Sequence, residues 1–217
     1  MDKPMLWNNY RKCLHENLDL KLVYSTDHQE KDNRLESKLY TGEYVLKSRE
    51  TYVESGETEY IYNNIIYPKT GKNLPCLGID LMAFFEKKVI IVFDFQHPVD
   101  NYDYDDPIIR KNLSEYNGIT KDIRFFQPGN HFSRYIFVKK CEMSQVDDYL
   151  PDFEKYVKTY SELLNTYKPI DDEADNFVNF DTYMYELDPV IGFMEQRFGK
   201  TFAKDYVENF LFSYAKT

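Results

Sequence analysis

The sequence predicts one antiparallel β-sheet whose faces are covered by helices from both chain ends. Three observations carry this reading. Apolar residues near both termini recur every three or four positions, the spacing of an amphipathic helix. Between them lie short runs rich in Val, Ile, Tyr and Phe, bounded by Gly and Pro, which read as strands. The links between those runs are short, whereas parallel strands need crossovers of about a dozen residues or more.

Taken in order, Leu6, Trp7, Tyr10, Leu14 and Leu18 place a helix over Met5–Leu18. Strands are expected at Leu20–Ser25, Leu39–Lys47, Glu50–Glu54, Tyr60–Tyr67, Leu74–Phe84 and Lys87–Phe95. Turns at Ser55-Gly56, Pro68–Gly71 and Glu86–Lys88 separate the later ones. Val99–Lys121 is acidic at first and poorly patterned, which suggests a surface excursion, and Arg134–Lys139 resumes strand character. Val146, Leu150, Phe153, Val157, Tyr160 and Leu164 then mark a long amphipathic helix. Pro189 and Gly199 bracket a further helix ending at Phe198, and Thr201–Tyr214 repeats the pattern. No repeat or linker divides the chain, so residues 1–217 are expected to form a single domain.

Composition removes several classes of function. With 27 basic and 37 acidic residues the net charge is −10, which argues against general affinity for nucleic acid or anionic membranes. The longest dense apolar run, Val89–Phe93, is far short of the roughly 20 residues that span a bilayer. The N-terminus lacks an apolar signal core, so a cytoplasmic protein is expected. Cys13, Cys76 and Cys141 form no C-x-x-C pair, and the four His residues lack metal-site spacing. No Gly-rich phosphate loop and no nucleophile elbow occurs. Metal, flavin and nucleotide are therefore not expected.

Two carboxylates stand out. Asp80 lies in the apolar run Leu74–Met82, where alternation puts it on one face with Cys76, Gly78 and Met82. In a closed pocket, desolvation would make it a proton donor near neutrality; an ordinary solvated face accounts for it as well. Gly78 beside it would let a ligand approach the backbone. Asp188 directly precedes Pro189, a natural N-cap position that explains an Asp without any catalytic role. Tyr and Phe are dense around both, including Tyr60, Tyr62, Tyr67, Phe93, Phe95, Phe132 and Tyr183. They suit either a core or the walls of a site for a flat conjugated molecule.

Longer motifs point further. Tyr67–Met82, Lys87–Pro98, Gly129–Ser133, Phe180–Pro189 and the ending Phe210–Tyr214 together resemble the ferredoxin-dependent bilin reductases, and within them the phage-type phycoerythrobilin synthases. The likeness runs from about Thr41 onward and is weak before it.

The resemblance implies a three-layer α/β/α sandwich whose antiparallel sheet holds biliverdin IXα against the C-terminal helices. It implies single-electron reduction by a 2Fe–2S ferredoxin through bilin radicals, with no metal or other cofactor in the reductase itself. The protein's part is then to hold the bilin and supply protons. On this reading Asp80 protonates the bilin early and Asp188 serves later reduction of the A-ring diene. Asn63 stands seventeen residues before Asp80, where phycocyanobilin-forming members carry a His, so it would hydrogen-bond substrate rather than donate a proton. A family Glu aligns with Glu50 after one inserted residue in the Ser55–Glu57 turn, and is read as substrate-binding. Arg124 and Ser133 are the candidates for holding the bilin propionates. The implied activity is four-electron reduction of biliverdin to phycoerythrobilin through 15,16-dihydrobiliverdin, in the cytoplasm of a phage-infected cyanobacterial host, by a monomer. The alternatives are a reductase that stops after two electrons and a non-catalytic bilin carrier or lyase. Because ferredoxins are acidic, the net −10 charge calls for a local basic patch, with Lys69, Lys72, Lys87, Lys88, Arg197 and Lys200 as its candidates.

Overall fold

The computed structural model describes residues 6–85, 88–99, 105–115, 129, 131–187 and 189–215. Its centre is a seven-stranded antiparallel sheet in simple meander order: β1 (Lys21–Glu30), β2 (Asn33–Thr41), β3 (Val45–Ser55), β4 (Glu59–Pro68), β5 (Cys76–Phe84), β6 (Lys88–Gln96) and β7 (Phe137–Cys141). Side chains alternate across this sheet, and each face has its own apolar layer. Leu77, Ile79 and Leu81 of β5 face α1 (Asn8–Asn17) and α3 (Leu150–Tyr167), with Phe93 and Phe95 of β6 beside them. Cys76 and Met82 face the other way, toward α4 (Val178–Leu187), α5 (Val190–Phe198) and α6 (Lys200–Tyr206). The result is the expected three-layer α/β/α sandwich.

The first layer is anchored by polar groups on large rings. Trp7 Nε1 donates to the Tyr60 carbonyl at 3.1 Å, Tyr10 Oη to that of Val146 at 2.5 Å, and Tyr160 Oη to that of Ile66 at 3.1 Å. Each ring thus buries its apolar body while its polar atom finds a partner. Among the described residues, no helix is long and apolar enough to cross a membrane.

Several elements differ from the sequence expectation. The strand expected at Leu20–Ser25 runs on to Glu30 and turns at Lys31-Asp32 into β2. Its outer half, Thr26–Glu30, is polar because β1 is an edge strand exposed along most of its length, so it carries no apolar alternation. The run Leu39–Lys47 is broken by the turn at Glu43-Tyr44, and β3 absorbs what reads as two strands. The segment read as an unpatterned excursion contains α2 (Pro107–Asn112), started by Pro107 and capped by Asp106, whose carboxylate accepts from the Ile108 amide at 2.7 Å. Helix α4 was not anticipated either. The Thr201–Tyr214 helix divides into α6 and a π-helical turn at Val207–Leu211.

Candidate active site

The pairing register sets six side chains in one row across the face that meets the C-terminal helices: Ser37, Thr51, Asn63, Asp80, Val92 and Val138. A neighbouring row holds Arg49, Ile65, Gly78 and Asp94. The helices seal one side of this field. Tyr206 of α6 is buried, and its hydroxyl lies 2.8 Å from both the Ser37 and Thr51 hydroxyls. Toward the other side, Ile61, Asn63, Asp80, Met82, Ile90 and Val138 are only half-buried. This half-open part of an otherwise sealed face is where a ligand can lie against the sheet.

Asp80 is the acid within it. Asn63, directly across the β4–β5 ladder, donates from Nδ2 to Asp80 Oδ1 at 2.7 Å. Arg49 Nη1 in turn donates to Asn63 Oδ1 at 2.7 Å. The adjacent space is not open backbone, contrary to the expectation for Gly78. A Cβ there would collide with the Gln96 side chain, so Gly78 makes room for that amide rather than for a ligand. Gln96 Oε1 is buried without a hydrogen-bond donor among the described residues.

A second acid on this face was missed. Asp94 is completely buried, and desolvation pushes its carboxyl up to about 7, against the opposing pull of hydrogen bonds from Ser133 and from the Phe95 backbone. Its partners include the Ser133 amide at 2.9 Å and the Ser133 hydroxyl. The signal was present: Asp94 interrupts the apolar run Val89–Phe95 just as Asp80 interrupts Leu74–Met82. Another buried carboxyl, Asp181 of α4, accepts from Tyr67 Oη at 2.7 Å and the Tyr214 amide at 3.0 Å, and burial raises it too. Lys47 sits over the Tyr214 and Tyr67 rings, 3.7 and 4.7 Å from their centroids, and burial lowers its ammonium to about 8. Together these groups fasten the chain's end to the sheet.

Two expected substrate contacts are corrected. Glu50 belongs to the opposite face: it is buried against α1 and takes bonds from Arg11 Nη2 at 2.6 Å, Tyr62 Oη at 3.0 Å and His15 Nε2 at 3.2 Å. Successive residues of β3 face opposite sides, so Glu50 lies on the α1 side while its neighbours do not. Thr51, directly across from Asn63, is the residue that faces the site. Ser133 is buried and its hydroxyl proton is committed to Asp94, so it has no donor left for a propionate. The expected aromatic walls are also divided, because Tyr62, Phe93 and Phe95 pack on the α1–α3 face while Tyr67, Phe132 and Tyr183 lie on the site face. Asp188 and Arg124 lie outside the described residues. Helix α5 starts one residue later than expected, with Pro189 in the N-cap position.

The candidate basic residues divide between the two ends of the sheet, with Lys88 and Arg197 both near Glu59 at one of them. Lys69 and Lys72 follow β4, while Lys88 opens β6 at the opposite end of the sheet, roughly 30 Å away along a ten-residue strand. Lys69 is paired with Asp172 at 3.3 Å, and Arg197 with Glu59. Lys87 lies outside the described residues. Among the described residues, no three His, Cys, Asp or Glu side chains are placed to hold a metal ion.

A helix-covered sheet with an acid–amide pair on its half-open face sets a carboxyl where a flat molecule can lie against the sheet. Comparison with known proteins identifies the family. The family model described as ferredoxin-dependent bilin reductase matches residues 8–213. A 15,16-dihydrobiliverdin:ferredoxin oxidoreductase of Gloeobacter violaceus is 31% identical over 185 residues, covering 80% of this chain and 76% of the relative. The protein of the same name from Nostoc punctiforme is 29% identical with the same coverage. The crystal structure of tomato phytochromobilin synthase in complex with biliverdin superposes with a TM-score of 0.68 at 19% identity, covering 94% of this chain and 83% of that one. The chain belongs to the ferredoxin-dependent bilin reductase family.

Proposed function

We propose that the protein reduces biliverdin IXα with electrons from reduced ferredoxin, first to 15,16-dihydrobiliverdin and then to phycoerythrobilin. The observation that carries this reading is the Asp80–Asn63 hydrogen bond on the half-open sheet face. A carboxyl placed there can hand a proton to a tetrapyrrole lying on the sheet, and its Asn63 partner, unlike a His, does not titrate. Each stage takes up two electrons and two protons. Ferredoxin supplies the electrons one at a time, and the protein supplies protons and orientation. Asp80 serves the first stage and Asp188 the second, with Arg124 as the proposed propionate partner. Binding alone would require neither carboxyl, which sets the enzyme apart from a bilin carrier.

A second reading stops at 15,16-dihydrobiliverdin. The names of the Nostoc and Gloeobacter relatives favour it. The two readings share the first stage and differ in the second. The test is an anaerobic reaction of biliverdin with a ferredoxin-reducing system, its products separated by chromatography. Phycoerythrobilin preceded by transient 15,16-dihydrobiliverdin is the expected result. Accumulation of 15,16-dihydrobiliverdin with no further product would establish the two-electron reading. Unchanged biliverdin in the presence of reduced ferredoxin would contradict both.

A further inference from the structure

We propose that Arg49 is a positioning residue that acts on Asp80 through Asn63, fixing which way the Asn63 amide points and how strongly it donates to the reacting carboxyl. The proposal rests on the reading of Asp80 as a proton donor.

The geometry is a chain of two hydrogen bonds. Arg49 Nη1 donates to Asn63 Oδ1 at 2.7 Å, and Asn63 Nδ2 donates to Asp80 Oδ1 at 2.7 Å. An amide can present either its oxygen or its NH₂ group to a neighbour, and the network decides which. Guanidinium has donors only, so the Asn63 oxygen must face Arg49. Its NH₂ must then face Asp80. Without Arg49 the amide could turn and offer its oxygen to a protonated Asp80, which would hold the proton instead of releasing it.

Arg49 itself is unusual. It is only 1% exposed, and its Nε has no acceptor among the described residues. Its guanidinium lies 5.7 Å from the centre of the Phe212 ring. Its charge also favours the Asp181 anion, but its side-chain hydrogen bond is to a neutral amide, whose orientation it sets. The donated bond and the nearby positive charge both favour ionised Asp80, so they make it a stronger acid. Desolvation by a bound bilin works in the opposite sense. Arg49 therefore offsets the loss of acidity that follows when substrate covers the sheet.

Other charged or titratable groups face the same field. On the sheet these are Tyr24, His28, Lys47, Glu59, Tyr67, Cys76 and Asp94, with Lys140 at its edge. The loop before β7 adds His131, and the C-terminal elements add Asp181, Tyr183, Tyr185, Arg197, Tyr206 and Tyr214. Arg49 is distinguished by its two-bond path to Asp80, which makes its contribution separable by a mutant cycle.

The test follows the infrared carbonyl stretch of protonated Asp80, identified by its loss in Asp80→Asn, against pH in bilin-free protein. Arg49→Met should raise the pH at which this band disappears by on the order of one unit. Combined with Asn63→Ala, the additional effect of Arg49→Met should shrink to less than about half, because the connecting amide is gone. In turnover with biliverdin, Arg49→Met should lower kcat about tenfold while KM changes by less than about threefold, and the alkaline limb of the pH profile should move upward. Should Arg49→Met fail to fold, Arg49→Lys gives the same cycle with a smaller shift. An unmoved band, or a shift equally large with and without Asn63, would overturn the proposal. Wild-type turnover is scored separately: its absence would contradict the proposed function, while the infrared cycle still decides the role of Arg49.

Discussion

Arg49 and Glu50 are consecutive residues of β3, and the strand's alternation sends them to opposite faces of the sheet. On the α1 side, Glu50 has three donors, and Arg11 also reaches Glu36 at 2.9 Å. Burial works against the Glu50 anion, but the bonds and charges of His15 and Arg11 outweigh it and hold the carboxyl below its ordinary value. The network continues through Tyr62, Asn64 and Ser48, each within 3.3 Å of the next. On the other side Arg49 is held by one amide, and among the described residues Asp94 is buried without an ion pair and Gln96 Oε1 has no donor. The first face is a polar network closed on itself. The second keeps polar groups whose requirements are met incompletely among the described residues.

Breaking each face should therefore have a different signature. Arg11→Met removes a principal partner of buried Glu50 and should lower stability by about 3 kcal/mol, at the low end for a broken buried pair because His15 and Tyr62 remain. Denaturant unfolding checks this. Activity per folded molecule should not change.

Asp94→Asn should act more gently and chiefly on pH dependence. With the folded carboxyl raised to about 7 from an ordinary 3.8, the folded protein binds a proton there that the unfolded chain releases. Stability therefore falls as pH rises from about 4 to 7, by this group's contribution. Asp94→Asn should flatten that part of the melting-temperature profile, and an unchanged slope would show that Asp94 does not titrate there.

The central sheet and its covering helices were legible because burial on both faces leaves strong patterns: continuous apolar runs in β5 and β6, and three–four spacing in α1 and α3. What the sequence concealed has physical causes. The β1–β2 hairpin is exposed and polar, so it lacks the alternation that marks a half-buried strand. Helix α4 begins directly from a 3₁₀ turn at Ala174–Phe177, so no loop separates the two in the sequence. At the site, Asp80 could be singled out because an acid in an apolar strand is conspicuous, and its pairing with Asn63 follows from the ladder register. Arg49 gave no such signal, since its importance arises only when β3 and β4 place it diagonally from Asn63. Glu50 belongs to the α1 face because the alternation of β3 turns it away from its neighbours Arg49 and Thr51.

The most direct test of the account is Asp80→Asn, measured for biliverdin affinity by absorbance titration and for turnover with reduced ferredoxin. The expected result is affinity within about threefold of wild type and a rate reduced on the order of a hundredfold or more, as for loss of a general acid. Undiminished turnover, or a loss of binding as large as the loss of rate, would contradict the assignment of Asp80 as the proton donor of this sheet face.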